Sequence, residues 1–382
     1  MNDRERRAEF GAHLADLRKR AGLSQTKLAT RLCLASGTTT LTRNEVSRWE
    51  RGERIPDAWL PSLAEVLEEP LANLRQAAAV AQGAPLPVTR PEGEDDSPHA
   101  EVQRLAGWLL VHDNDHGGDH VADAALQVWR AAMARINGDD KFALSVAAEL
   151  AEVAGWLLFD ANRQDEARAC FMETLHLARL ARNRPMEWFA LDLLAMHGIE
   201  NGRVGEVLSV CDELDSQPVP PRVALLAAVR RSRALALAGD RARATKAIKR
   251  ARGALEDSLH PRDPRWAWWV DDEEISGQEG EVFLALTDQT RAVPYFERTN
   301  KLVTGGNATG RNAFFYRTAE LTALATAGAW REAETSLHHL PPILNTVASA
   351  RTRHRLTKTL RVIERDAPGW LADTAREVTA TR

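Results

Sequence analysis

At 382 residues, 44% hydrophobic and 27% charged, the chain is long enough for a small domain beside a larger one and has the composition of a soluble globular protein. Its net charge of −4 argues against indiscriminate coating of nucleic acid, but the charge is unevenly spread. Residues 1–60 hold 12 Lys and Arg against 8 Asp and Glu, a balance of +4, which leaves −8 for the remainder; a basic head on an acidic body suits phosphate contact by the head alone. Met1 to Arg7 are charged, unlike a secretory signal, and no uninterrupted apolar run approaches the ~18 residues of a membrane span. Cys33, Cys170 and Cys211 are widely spaced and lack any CxxC pairing, which fits small core hydrophobes in a reducing compartment. A cytoplasmic chain without membrane contact is the expectation.

Taken in chain order, Phe10, Leu14 and Leu17 make a helical stripe that Gly22 stops. Ser24 can N-cap a second helix that carries Leu28, Ala29 and Leu32. A third, short helix follows Thr42. Thr42 and Glu45 have capping-box spacing, Gly52 stands where a left-handed C′ residue belongs, and Val46 and Trp49 share a face for burial. Arg43, Asn44, Ser47 and Arg48 then fall on the exposed side. Such a helix suits a major groove, where Arg forks onto guanine and Asn onto adenine. Arg54-Ile55-Pro56-Asp57 opens a further helix with Leu60, Leu63, Ala64 and Leu67 inward.

Through Gly22–Ala29 (GLSQTKLA) and Glu45–Pro56 (EVSRWERGERIP), roughly the first 75 residues resemble the XRE, phage repressor-like helix-turn-helix family. The resemblance implies a lambda repressor-like head that reads double-stranded DNA with Gln25, Arg43, Asn44 and Arg48, with Ser47 nearby. Lys27 is expected to serve all sequences alike, as a phosphate contact does. One departure is the segment Cys33–Leu41, which makes the turn between the second and third helices longer than is usual in the family.

Residues 82–99 gather Pro, Gly and acidic residues without periodicity and read as a linker, so the expected organisation is 1–80 head, 81–100 linker and 101–382 helical repeats. Beyond the linker there is no strand alternation. One phrase recurs instead: an apolar helix, a small polar turn, then an anchor residue opening a second helix, with anchors at Ala124, Ala167, Val207, Ala244, Ala292 and Ala333. Four residues past each anchor lies an apolar residue: Val128, Phe171, Cys211, Ile248, Phe296 and Leu337. Twelve residues before several anchors lies a small one: Gly155, Ala195, Ser232 and Gly280. His112 and Leu321 break this second rule. A large knob on one helix and a hole on its partner resemble the tetratricopeptide repeat, here with a longer period than that family's 34 residues. The fold class expected is therefore all-α, a helix-turn-helix head and a tetratricopeptide-like α-solenoid closed by a capping helix from Ala348 to Ile363.

His112, His116 and His120 are spaced four apart, but Gly117-Gly118 interrupts their helix, so no metal is assigned. Asp271–Glu274 beside Trp266, Trp268 and Trp269 read as the acidic first turns of a helix opening at Asp263-Pro264. There is no phosphate-binding loop and no nucleophile elbow, so neither an enzyme nor a cofactor is expected. Counting back from the anchors puts Glu152, Trp156, Asp192, Met196, Arg233 and Glu281 on the concave face of the repeats, as a wall for a peptide or small molecule.

A helix-turn-helix head joined to such repeats resembles bacterial regulators that include peptide-pheromone sensors and many actinobacterial XRE proteins. The resemblance implies a homodimeric transcription regulator on a palindromic operator, with a solenoid that dimerises and binds a ligand. A different class, a scaffold whose head no longer binds DNA, is disfavoured by the retained Gln25, Arg43, Asn44 and Arg48.

Overall fold

The computed structural model describes residues 3–36, 41–67, 69, 71–82, 98–134, 136, 140–260, 262–304 and 309–380. Among them the regular secondary structure is entirely helical. Five helices come first: α1 Asp3–Arg20, α2 Gln25–Ser36, α3 Arg43–Glu50, α4 Leu60–Leu67 and α5 Leu71–Gln82. Their apolar stripes meet in one core of Phe10, Leu14, Leu28, Leu32, Val46, Trp49, Leu63 and Leu74. The Ser24 hydroxyl accepts from the Lys27 N–H at 3.1 Å and starts α2. Residues 37–40 of the long turn and 83–97 of the expected linker lie outside the described residues.

Six helical hairpins follow. They are α6 Pro98–His116 with α7 Ala122–Met133, α8 Lys141–Asp160 with α9 Gln164–Ala181, and α10 Arg184–Glu200 with α11 Val204–Asp215. Then come α12 Pro221–Leu237 with α13 Arg241–Ala254, α14 Asp272–Ala285 with α15 Gln289–Thr304, and α16 Arg311–Ala327 with α17 Trp330–His338. The chain ends in α18 Pro341–Leu344, α19 Ala350–Asp366 and α20 Gly369–Ala380. The capping helix read from Ala348 to Ile363 is α19, opened by the Ser349 side chain, and α20 follows it. α8 is long and apolar enough to cross a membrane by length and composition, yet most of it is buried within the protein.

The repeat spacing has a physical basis in close helix crossing. Phe171 packs over Gly155 and Phe296 over Gly280 so tightly that a Cβ on either glycine would lie 2.7 Å from the ring. Ser232 fits by donating its hydroxyl to the Ala244 carbonyl at 2.8 Å. The first repeat departs from the register. Ala124 is exposed, while Ala122, Ala125 and Leu126 are buried, so the anchor there is one residue later. The helix expected to open at Asp263-Pro264 is a 3₁₀ turn over Arg265–Trp269. α14 begins only after Asp271, whose carboxylate accepts from the Glu274 N–H at 3.1 Å. The Trp266 ring stacks on Phe189 at 4.5 Å, and its indole N–H donates to the Pro185 carbonyl.

The two ends of the array meet. Ala348 donates its N–H to the His116 carbonyl and accepts from the Asp119 N–H, and the Ala350 N–H donates to Asp119. Gly117, at φ +80°, lies against the Ala348 carbonyl where no side chain fits. Beneath this seam, buried Asp160 accepts from the Gly118 N–H and the Ser349 hydroxyl and pairs with Arg351. His112 lies between Trp108 and His116 on α6, with ring centroids at 5.5 and 5.0 Å.

Candidate nucleic-acid interface

α3 is set at both ends by the residues that mark it. The Glu45 carboxylate accepts from the Thr42 N–H at 3.0 Å at the start. At the end, Gly52 at φ +69° donates to the Trp49 carbonyl and Glu53 to the Arg48 carbonyl, which is the Schellman arrangement. Gly52 also faces the α1 backbone at Arg7, and Gly11 of α1 faces the carbonyls of Trp49 and Glu50, so both positions exclude a Cβ. Val46 and Trp49 anchor the inner face, while Arg43, Asn44 and Arg48 are exposed.

Arg43 and Asn44 make no side-chain hydrogen bond or ion pair among the described residues, and Arg48 has only a distant partner, Glu53 at 3.8 Å. Ser47 is half-buried and accepts from Arg51. Gln25, the first residue of α2, is also half-buried and donates to Glu50 at 2.7 Å. Glu50, at the end of α3, takes two further bonds from Arg18 of α1, whose guanidinium also donates to the Leu23 carbonyl at 2.7 Å. One carboxylate thus ties the three helices together and sets the angle at which α3 is presented. Spacing alone did not reveal Glu50 or Arg18, because the three partners come from different helices. Lys27 is exposed on α2 and apart from this network.

Residues 9–80 match the family model described as a helix-turn-helix domain. The N-terminal unit is a helix-turn-helix domain. No curated protein matches the chain by sequence. Among solved structures, Bacillus thuringiensis PlcR in complex with the peptide PapR7 and DNA is similar at 12% identity and a TM-score of 0.35, over 77% of this chain and 94% of that one. The apo form of the competence regulator ComR from Streptococcus vestibularis is similar at 12% identity and a TM-score of 0.27, over 98% of each chain.

The helix-turn-helix head sits against the repeats through the segment between α13 and α14. Arg222 of α12, 1% exposed, donates to Asp57, to Gln82 at 3.3 Å and to the Ala267 carbonyl at 3.1 Å. Burial pushes the Asp57 carboxyl up, against the pull of Arg222 and the Gln82 amide. Arg75 pairs with Glu273 at 2.7 Å, and Arg54 with Glu256 at 3.4 Å. Arg43, Asn44 and Arg48 take no part in this junction.

The six residues read onto the concave face do not form one open wall. Asp192 is buried in a two-point pair with Arg230 at 2.9 and 3.0 Å. Glu281 is held between Arg233 at 3.3 Å and Arg355 of α19, and Arg233 also donates to Gln278. Trp156 donates to Asp113 at 2.8 Å under the Arg311 guanidinium, and Met196 packs into the neighbouring apolar core.

Glu152 is 8% exposed and has no ion pair among the described residues. Its carboxyl is pushed up to about 8, first by burial and then by Glu149. A carboxyl raised above its unfolded value of about 4.3 holds a proton in the folded state that the unfolded chain releases. Its contribution is therefore complete below about pH 4 and is lost as pH rises towards 8, at no more than about 1.4 kcal/mol per pH unit. In Glu152→Gln, urea midpoints measured at pH 5.5 and 8.5 are expected to fall less than in the wild type. Equal falls would place the Glu152 charge in solvent.

Proposed function

We propose that the chain is a transcription regulator that binds a double-stranded operator as a homodimer through α3 of each head and senses a peptide or small molecule through its repeats. The observation that carries this reading is the exposed Arg43/Asn44/Arg48 face on a doubly capped helix, buttressed by Glu50. A helix with exposed Arg and Asn at its first turn supports base-edge contact, and Lys27 on α2 supports a phosphate contact. Gln25 and Ser47 act beside them, Gln25 with its amide already steered by Glu50. An electrophoretic shift on the chain's own upstream DNA across a salt series tests the reading. A complex with no preference for that DNA over a mixed sequence overturns it.

Replacing Arg43 with Ala is expected to cost about 1–3 kcal/mol at one base position and to relax specificity there. Lys27→Ala is expected instead to weaken binding to every sequence and flatten the salt dependence. An unchanged operator preference in Arg43→Ala would move the reading helix elsewhere.

One reading helix offers few contacts, so two heads on half-sites ~34 Å apart complete the reading. The exposed Leu105, Trp108 and Val111 along α6 support a second copy as the cover. Sedimentation showing a monomer both free and on DNA would remove this part. For the ligand, most of the concave-face residues already have partners inside the chain. An entering group would exchange with them, for example a carboxylate displacing Asp192 from Arg230, and so bias the curvature of the array.

A further inference from the structure

The body of the chain is acidic, yet α13 carries Arg241, Arg243, Lys246, Lys249, Arg250 and Arg252 and no acid along its length. Three of these are spoken for within the protein. Arg241 pairs with Asp288 at 2.8 Å, Arg243 with Asp240, and Arg252 with Asp272 and Glu279. Lys246, Lys249 and Arg250 are exposed and have no ion pair among the described residues. They are spaced three and four apart, on the side of α13 away from buried Ala244, Ile248 and Ala251. Gly253 extends the same stripe, with open space where a side chain would stand.

The stripe ends near α3, on the side of that helix that faces the repeats. Just past the end of α13, Leu255 and Glu256 share the walls of one small cavity with Glu45 and Trp49 of α3 and with Arg54. At 1.5 Å per residue, Arg250 lies about 9 Å and Lys246 about 15 Å along the helix axis from that contact. The intervening acids, Glu256 and Asp257, are drawn to Arg54 at 3.4 and 3.5 Å, which offsets their charge beside the stripe.

From this geometry we propose that α13 is a second DNA-contact surface, on which Lys246, Lys249 and Arg250 take the phosphates of duplex flanking the segment read by α3. The charge, exposure and spacing fit a polyanionic backbone and carry no base-specific information. The proposal rests on the DNA-binding reading above and adds that the solenoid, not only the head, holds the duplex.

The test uses the full chain and two mixed-sequence duplexes of ~16 and ~40 base pairs, with affinity followed by fluorescence anisotropy across a salt series. In the triple variant Lys246→Gln, Lys249→Gln, Arg250→Gln, the slope of log affinity against log salt on the long duplex is expected to shrink by about 2–3, at about 0.9 per phosphate contact. Neutralising the exposed Arg331 and Lys358, which lie away from α13 in sequence, should leave both slopes alone. Wild-type-like slopes in the triple variant, at an unchanged melting temperature, overturn the inference while leaving the head's DNA binding intact. An equal loss in the Arg331/Lys358 control also overturns it, by reducing the effect to net charge. Failure of the wild type to bind either duplex at low salt removes the DNA-binding reading itself.

Discussion

Replacing Arg222 with Ala is expected to destabilise the protein by about 3–5 kcal/mol, the cost of stranding a buried charge. The guanidinium is almost wholly enclosed, and it joins Asp57 and Gln82 to the Ala267 carbonyl of the repeats. Without it Asp57 keeps the burial that already pushes its carboxyl up and loses the cation that opposes that push. Asp57→Asn should recover part of the loss when added to Arg222→Ala, because the neutral amide has no charge to strand. Urea denaturation of the two single variants and the double variant measures the coupling. Additive losses would show that the pair is not a unit and that the other head contacts hold the junction.

The second large effect is expected at Gly117. Gly117→Val sets a branched side chain at φ +80° and drives it into the Ala348 carbonyl, for a cost of about 2–5 kcal/mol. Gly22→Ala is the matched control. Gly22 also has positive φ, +67°, but nothing lies within 4 Å of its missing Cβ, so only the backbone term of about 1–2 kcal/mol applies. The difference in thermal unfolding between the two variants isolates the seam. If Gly117→Val costs no more than Gly22→Ala, the ends of the array are not held together at this point.

The parts of the fold legible in the sequence are those governed by local rules. Thr42, Glu45 and Gly52 mark α3 because each meets a backbone need within one turn of itself. Gly155 and Gly280 were legible because a hairpin fixes the chain distance between a helix and the partner that crosses it. The same logic slipped at the first repeat, where Ala122, Ala124 and Ala125 offer several small residues and His112 gives no hole to choose between them. The polar interior was not legible. Asp192 meets Arg230 across 38 positions and Glu281 meets Arg355 across 74, separations set by the winding of the array rather than by any hairpin. The concave register therefore marked side chains that turn inward, without indicating that cations from later helices would meet them. Glu50 and Arg222 escaped notice for the same reason, since each gathers partners from elements remote in sequence.

The meeting of Ala348–Ala350 with His116–Asp119 changes how the repeats behave as a material. An open stack of helical hairpins is nearly one-dimensional: it frays from its tips, its stability grows unit by unit, and units can be gained or lost in evolution. Here the terminal units are neighbours, bonded across 231 positions of sequence. Fraying at either tip must first break contacts with the other, so opening is expected to be concerted along the belt. The same bonds add long loops that must close during folding, which slows it relative to a linear stack. A belt of this kind also has a fixed circumference. Deleting or inserting one hairpin would not merely shorten or lengthen the molecule but would leave its clasp without a partner.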